Sequence, residues 1–192
     1  IELFTEGSLN TFAKPTNVDT NSRIVCYDIR DLGKQLLPVG MLVVLDSIFN
    51  RVIRNREKGK NTWIYIDEIY LLFQHEYSAN FLFTLWKRVR KYGAFATGLT
   101  QNVDDLLQSH TARTMLANSE FLVMLNQAST DRIELAKLLN ISDNQLSYIT
   151  NVDSGRGLLK CGGAIVPFMD IFPKNDLYKL MTTKPSEVEI WQ

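Results

Sequence analysis

The chain has 192 residues, 45% of them hydrophobic, and its 21 basic and 21 acidic side chains leave a formal net charge of zero. That is an ordinary globular composition, long enough for one domain with a sizeable core, and it excludes a global electrostatic drive towards nucleic acid or anionic lipid. Two cysteines, Cys26 and Cys161, are too few and too scattered for a disulfide framework or a zinc site. Their apolar, strand-like surroundings predict buried free thiols in a reducing compartment.

Residues 1–22 are polar, rich in Asn and Thr, and read as a leading segment or the remnant of a linker. RIVCYDI (23–29) reads as a strand. The apolar run LLPVGMLVVL (36–45) is broken by Pro38 and Gly40 and ends at Asp46, short of the roughly 20 residues a membrane span needs. A helix is expected over 39–59, its apolar stripe giving way to a basic end and Gly59. TWIYID (62–67) comes next as a strand, then a helix over 80–93 closed by Gly93, and AFATGLT (94–100) as a short buried strand.

Helical segments continue to about Ala117, and EFLVML (120–125) reads as another strand. Two capped helices come after it, 129–139 with Ser129 or Thr130 as N-cap and 142–149 with Ser142. Residues 155–171 form a hairpin turning at Gly162–Gly163, and a last short helix begins near Pro173. The tail 185–192 has no evident partner. Strands separated by helices of ten or more residues indicate an α/β fold, parallel at the centre of its sheet, with the hairpin at one edge. No signal peptide is visible, and the start at Ile1 in place of Met points to a piece of a longer protein.

The chemistry concentrates at Asp67–Glu68. Four residues, Trp63–Ile66, precede two carboxylates at the end of a strand, and in parallel sheets ligands collect at that end. This is the order of a Walker B element. The Asp holds Mg²⁺ on the nucleotide phosphates, and the Glu polarises the attacking water as general base. The plainer alternative is that both carboxylates favour the positive end of the following helix.

The next strand ends in Thr100–Gln101, where a glutamine amide can both donate and accept and so register a γ-phosphate. Between the two lies KRVRKYG (87–93), with cations at 87, 88, 90 and 91. These complement a helix C-terminus, or they include an arginine that reaches a neighbour's nucleotide, with Arg156 in SGRGLL a second candidate. No GxxxxGK[ST] occurs anywhere in the chain, so the phosphate loop with its lysine is absent from these residues.

Read together, RIVCYDIRDLGKQLLPVGMLVVLDSIF, WIYIDEIYLLF, LWKRVRKYGAFATGLTQNVDDLL, ANSEFLVMLNQASTDRIELAKLLNIS and GRGLLKCGGAIVPF resemble one family. It is the large ATPase of conjugative type IV secretion systems, the VirB-four class (TraC/TraE-like), within the FtsK–HerA branch of RecA-like motors. The similarity spans roughly residues 20–184, and it implies that 23–184 is the C-terminal part of a RecA-like P-loop NTPase domain.

The resemblance implies Asp67 as the metal-supporting aspartate, Glu68 as the catalytic glutamate and Gln101 as the glutamine of the TQ motif. It places Arg88 and Arg90 in the arginine-bearing motif and Gly155 and Gly157, with Arg156 between them, in a late glycine motif near the nucleotide. It further implies ATP and Mg²⁺ as cofactors, hexamers or dimers, secretion-channel and coupling proteins as partners, and a peripheral position at the cytoplasmic face of the membrane. Two other readings remain: a non-catalytic docking module of the secretion machinery, and a DNA-translocating coupling-protein or HerA-like ATPase. The last would bind DNA through a ring of Lys or Arg, and KRVRK is the only dense cluster.

Overall fold

The computed structural model describes residues 6, 10–15, 17–101 and 103–182, apart from the side chains of residues 11, 12, 30, 34, 35, 129 and 130. The chain divides into two compact units, Ile1–Asn102 and Val103–Gln192. The expected tail lies outside the described residues.

In the first unit a long helix α1 (Gly33–Glu57) leads to strand β1 (Thr62–Ile66), helix α2 (Glu76–Val89) and strand β2 (Ala94–Gly98). The strands pair in parallel with Thr62 opposite Ala94 and Ile66 opposite Gly98. A helix between parallel strands is the connection such a pair requires. The buried face is built from Ile64 and Ala94 on the strands, Val52 on α1, and Leu85 and Val89 on α2. Side chains alternate across a strand, so the same alternation turns Trp63, Tyr65 and Phe95 outwards, at 62%, 67% and 47% exposure. The Trp63 and Phe95 rings stack on each other there, centroids 4.4 Å apart.

Three expectations are corrected in this unit. Residues 23–29 form no strand; Ile24 is 81% exposed, no ladder partner exists among the described residues, and the segment is tied to α1 by Tyr27 Oη and Ser47 Oγ at 3.0 Å. The helix begins at Gly33, not residue 39, and runs through Pro38, which forfeits one backbone hydrogen bond near the first turn without ending it. Consequently Leu36–Glu57 is, by length and composition alone, long and apolar enough to cross a membrane. Met41, Leu45 and Val52 on it are buried, and the Arg51 guanidinium donates to the carbonyls of Thr20 and Ser22. Third, Cys26 is exposed, as is Cys161 in the second unit, so neither is a buried thiol.

The second unit carries helices α3 (Val103–Gln108) and α4 (His110–Ala117), strand β3 (Phe121–Met124), helices α5 (Ser129–Leu139) and α6 (Asp143–Leu146), the hairpin β4 (Arg156–Cys161) and β5 (Ala164–Met169), and helix α7 (Asp176–Met181). The hairpin turns at Gly162–Gly163 as expected, and β3 adds to it antiparallel, giving the order β3-β4-β5. Met124 and Leu158 meet α3, α5 and the following Ile149 in one core. Ser142 caps α6 in a full capping box, its side chain accepting from the Gln145 amide while Gln145 Oε1 accepts from Ser142 N. For α5 the N-cap position falls on Ala128, before the expected Ser129 or Thr130, because Ala128 is the last extended residue. The final helix starts at Asp176 behind an Asn175 cap, three residues later than Pro173.

Candidate functional site

The parallel register brings the ends of β1 and β2 side by side, so Asp67–Glu68 and Thr100–Gln101 leave the same edge. The ladder continues past both strands through Leu99. Its N–H donates to the Ile66 carbonyl at 2.8 Å, and its carbonyl accepts from Ile69 N at 2.9 Å. Asp67 is exposed and its Oδ1 accepts from Glu68 N at 3.0 Å. Gln101 is exposed two residues beyond Leu99.

Glu68 is the unusual member. Its backbone is left-handed, φ 47° and ψ 48°, a conformation that a side chain with a Cβ adopts at a cost of roughly 1–2 kcal/mol. Its Oε2 is buried and has no hydrogen-bond partner among the described residues. A buried acceptor left unpaired costs about 1–3 kcal/mol, so strain and desolvation fall on one residue. Such costs collect where a side chain is held for a purpose other than stability. The next residues anchor the turn: a 3-10 helix (Ile69–Phe73) buries Ile69 and Leu72, and Ser78 Oγ at the start of α2 donates to the Leu72 carbonyl at 2.6 Å.

Arg88 and Arg90 lie elsewhere. They sit where α2 ends and β2 begins, and Thr62 N at the start of β1 donates to the Gly93 carbonyl at 3.2 Å. Five residues of β1 at about 3.3 Å each place that end about 16 Å from Asp67. Both arginines are exposed, Arg88 beside a shallow apolar hollow lined by Phe49, Phe81, Thr84 and Leu85. The structure therefore joins Asp67, Glu68 and Gln101 and sets Arg88 and Arg90 at the opposite end of the strand pair.

In the second unit, Arg156 and Gly157 open β4 directly after Gly155. Arg156 is paired with Asp153 at 3.8 Å and half exposed. Both glycines are demanded by packing. A Cβ on Gly157 would stand 2.2 Å from the Met124 carbonyl oxygen, and one on Gly155 (φ +84°) 2.0 Å from that of Asp170.

Residue-by-residue reading of motifs misses Gly98, Leu99 and Ile69, which hold the two turns together. The available signal was a glycine inside a strand pattern, which marks a close approach. Here the approach is Ile69, whose Cδ1 would lie 2.5 Å from a Cβ at position 98.

The model of the TraG P-loop domain matches residues 12–157, most of the chain. The chain belongs to the TraG P-loop domain family. Among solved structures it is similar to VirB4 of Thermoanaerobacter pseudethanolicus, with a TM-score of 0.79 and 25% identity over 92% of this chain. The expected α/β P-loop NTPase fold is thus borne out. This TraG-family chain spans about half of that VirB4, 49% of its length. No curated protein matches it.

Proposed function

We propose that the chain is part of an ATP-hydrolysing motor of a conjugative type IV secretion system, working at the cytoplasmic face of the cell membrane. One observation carries the reading. In a chain of the TraG P-loop family, Asp67, Glu68 and Gln101 follow the same end of a parallel strand pair, with a buried carboxylate oxygen of Glu68 unpartnered among the described residues.

The donor set fits a nucleotide-borne ion. No cluster of three His, Cys, Asp or Glu occurs among the described residues. A single exposed carboxylate, Asp67, suits Mg²⁺ that keeps its waters and takes its other ligands from phosphate. ATP with Mg²⁺, when bound, supplies the γ-phosphate and neutralises charge on its oxygens. Asp67 would hold that ion through its water shell. Glu68 takes the proton of the attacking water as general base. The Gln101 amide donates and accepts, orienting that water against the γ-phosphate.

Arg88 and Arg90, at the opposite end of the strand pair from Asp67, serve the nucleotide of an adjoining copy in a hexamer or dimer. Arg156, between Gly155 and Gly157, is a second residue for that role. The phosphate loop is not among the 192 residues, and we assign it to chain outside them.

The test is steady-state ATP hydrolysis by the protein at its full genomic length, beside its Glu68→Gln variant and the 192-residue chain. Expected are turnover in the full-length protein, loss of about 100-fold or more in Glu68→Gln with nucleotide still bound, and no turnover in the shorter chain. Unchanged turnover in Glu68→Gln, or none in the full-length protein, would refute the motor and favour a docking module.

A further inference from the structure

We propose that Gly98, Leu99 and Ile69 form a brace that locks the Asp67–Glu68 turn and the Thr100–Gln101 turn into one mechanical unit, and that these three act as positioning residues for Glu68. The functional half of this proposal rests on the ATPase reading above.

Strand register exposes the brace. With Ile66 opposite Gly98, a regular parallel ladder would set Leu99 opposite Asp67 and bond its carbonyl to Glu68 N. Instead the Leu99 carbonyl accepts from Ile69 N, while its own N–H still donates to Ile66. One extra residue therefore stands between the two bonds, and Leu99 pins the chain on either side of it. This is a bulge in a parallel pair, a device that bends a strand and re-aims a side chain.

The displaced Glu68 N–H turns to Asp67 Oδ1, the backbone passes into the left-handed region, and Glu68 Oε2 is buried and unpartnered among the described residues. The bulge stays closed because Ile69, 5% exposed, lies over Gly98. Any side chain at 98 would meet Ile69 Cδ1 at 2.5 Å and its Cγ2 at 3.2 Å. Leu99 leads directly into Thr100–Gln101, so a shift that releases Glu68 also moves Gln101.

Two measurements test this. The first is amide hydrogen exchange at Ile69 and Leu99 in the 192-residue chain, for wild type, Gly98→Ala and the pair Gly98→Ala with Ile69→Val. Valine lacks the Cδ1 that collides and keeps the branched Cβ. Protection at both amides should fall together by about tenfold in Gly98→Ala and recover together in the pair. The second is kcat and KM for ATP in the full-length protein, where kcat should fall and recover in step with protection while KM stays constant.

A change at one amide only, no change at either, or no recovery in the pair would overturn the brace. Protection lost and regained with kcat constant throughout would overturn its positioning role. A wild-type protein without turnover would refute the ATPase reading separately, and the amides alone would then decide the brace.

Discussion

Replacing Glu68 with glycine should make the protein more stable. Three contributions enter. Glycine adopts φ 47° without the Cβ penalty, returning about 1 kcal/mol. Deleting the carboxylate removes an acceptor that is buried without a partner among the described residues, returning about 1 kcal/mol at the low end of such costs. Against this, glycine widens the unfolded ensemble and costs about 1 kcal/mol. The net is about 1 kcal/mol of added stability, a rise of roughly 2–4 °C in Tm for a chain of this size. Urea denaturation of the 192-residue chain, followed by circular dichroism beside a Glu68→Ala control, measures it. Alanine removes the same carboxylate but keeps the Cβ, so it isolates the backbone share. A Glu68→Gly variant less stable than wild type would mean that Glu68 supports the fold, and the view of it as a residue held against stability would be wrong.

Other outcomes concern the second unit and the surface. Gly157→Ala drives a Cβ against the Met124 carbonyl, a backbone atom that cannot swing aside, and should cost about 3 kcal/mol or more by separating β3 from β4. Denaturation midpoints would check it, and a neutral substitution would remove the packing explanation for this glycine. Ser142→Ala loses the half of the α6 capping box in which the hydroxyl accepts from Gln145 N and should destabilise by about 1 kcal/mol, read in the same assay. Cys26 and Cys161 are exposed, so both should react with a thiol reagent in the native protein about as fast as in urea.

Local patterns in the sequence carried much of this. The glycine turn at 162–163 with its alternating flanks, the Ser142–Gln145 cap and the apolar run ending in Asp67–Glu68 each involve neighbours within a few positions. Their geometry arises from hydrogen bonds and alternation that any chain with those residues would make. The type of most elements, the α/β class and the identity of the candidate acid groups were legible for that reason. The segment 23–29 misled because apolar alternation signals a strand only where a second strand offers a ladder, and none does so among the described residues. The cysteines misled similarly, since an apolar neighbourhood in sequence is not burial in space.

Tertiary structure alone decided the rest, because the deciding partners are far apart along the chain. Leu99 meets Ile66 and Ile69 across some thirty positions, and only that pairing adds the extra residue that turns Glu68 left-handed. Only the parallel register puts Gln101 at the carboxylate end and Arg88 and Arg90 at the other, although all three stand within one short stretch of sequence. The sequence named the residues that could do chemistry. Non-local hydrogen bonding and packing determined which of them stand together.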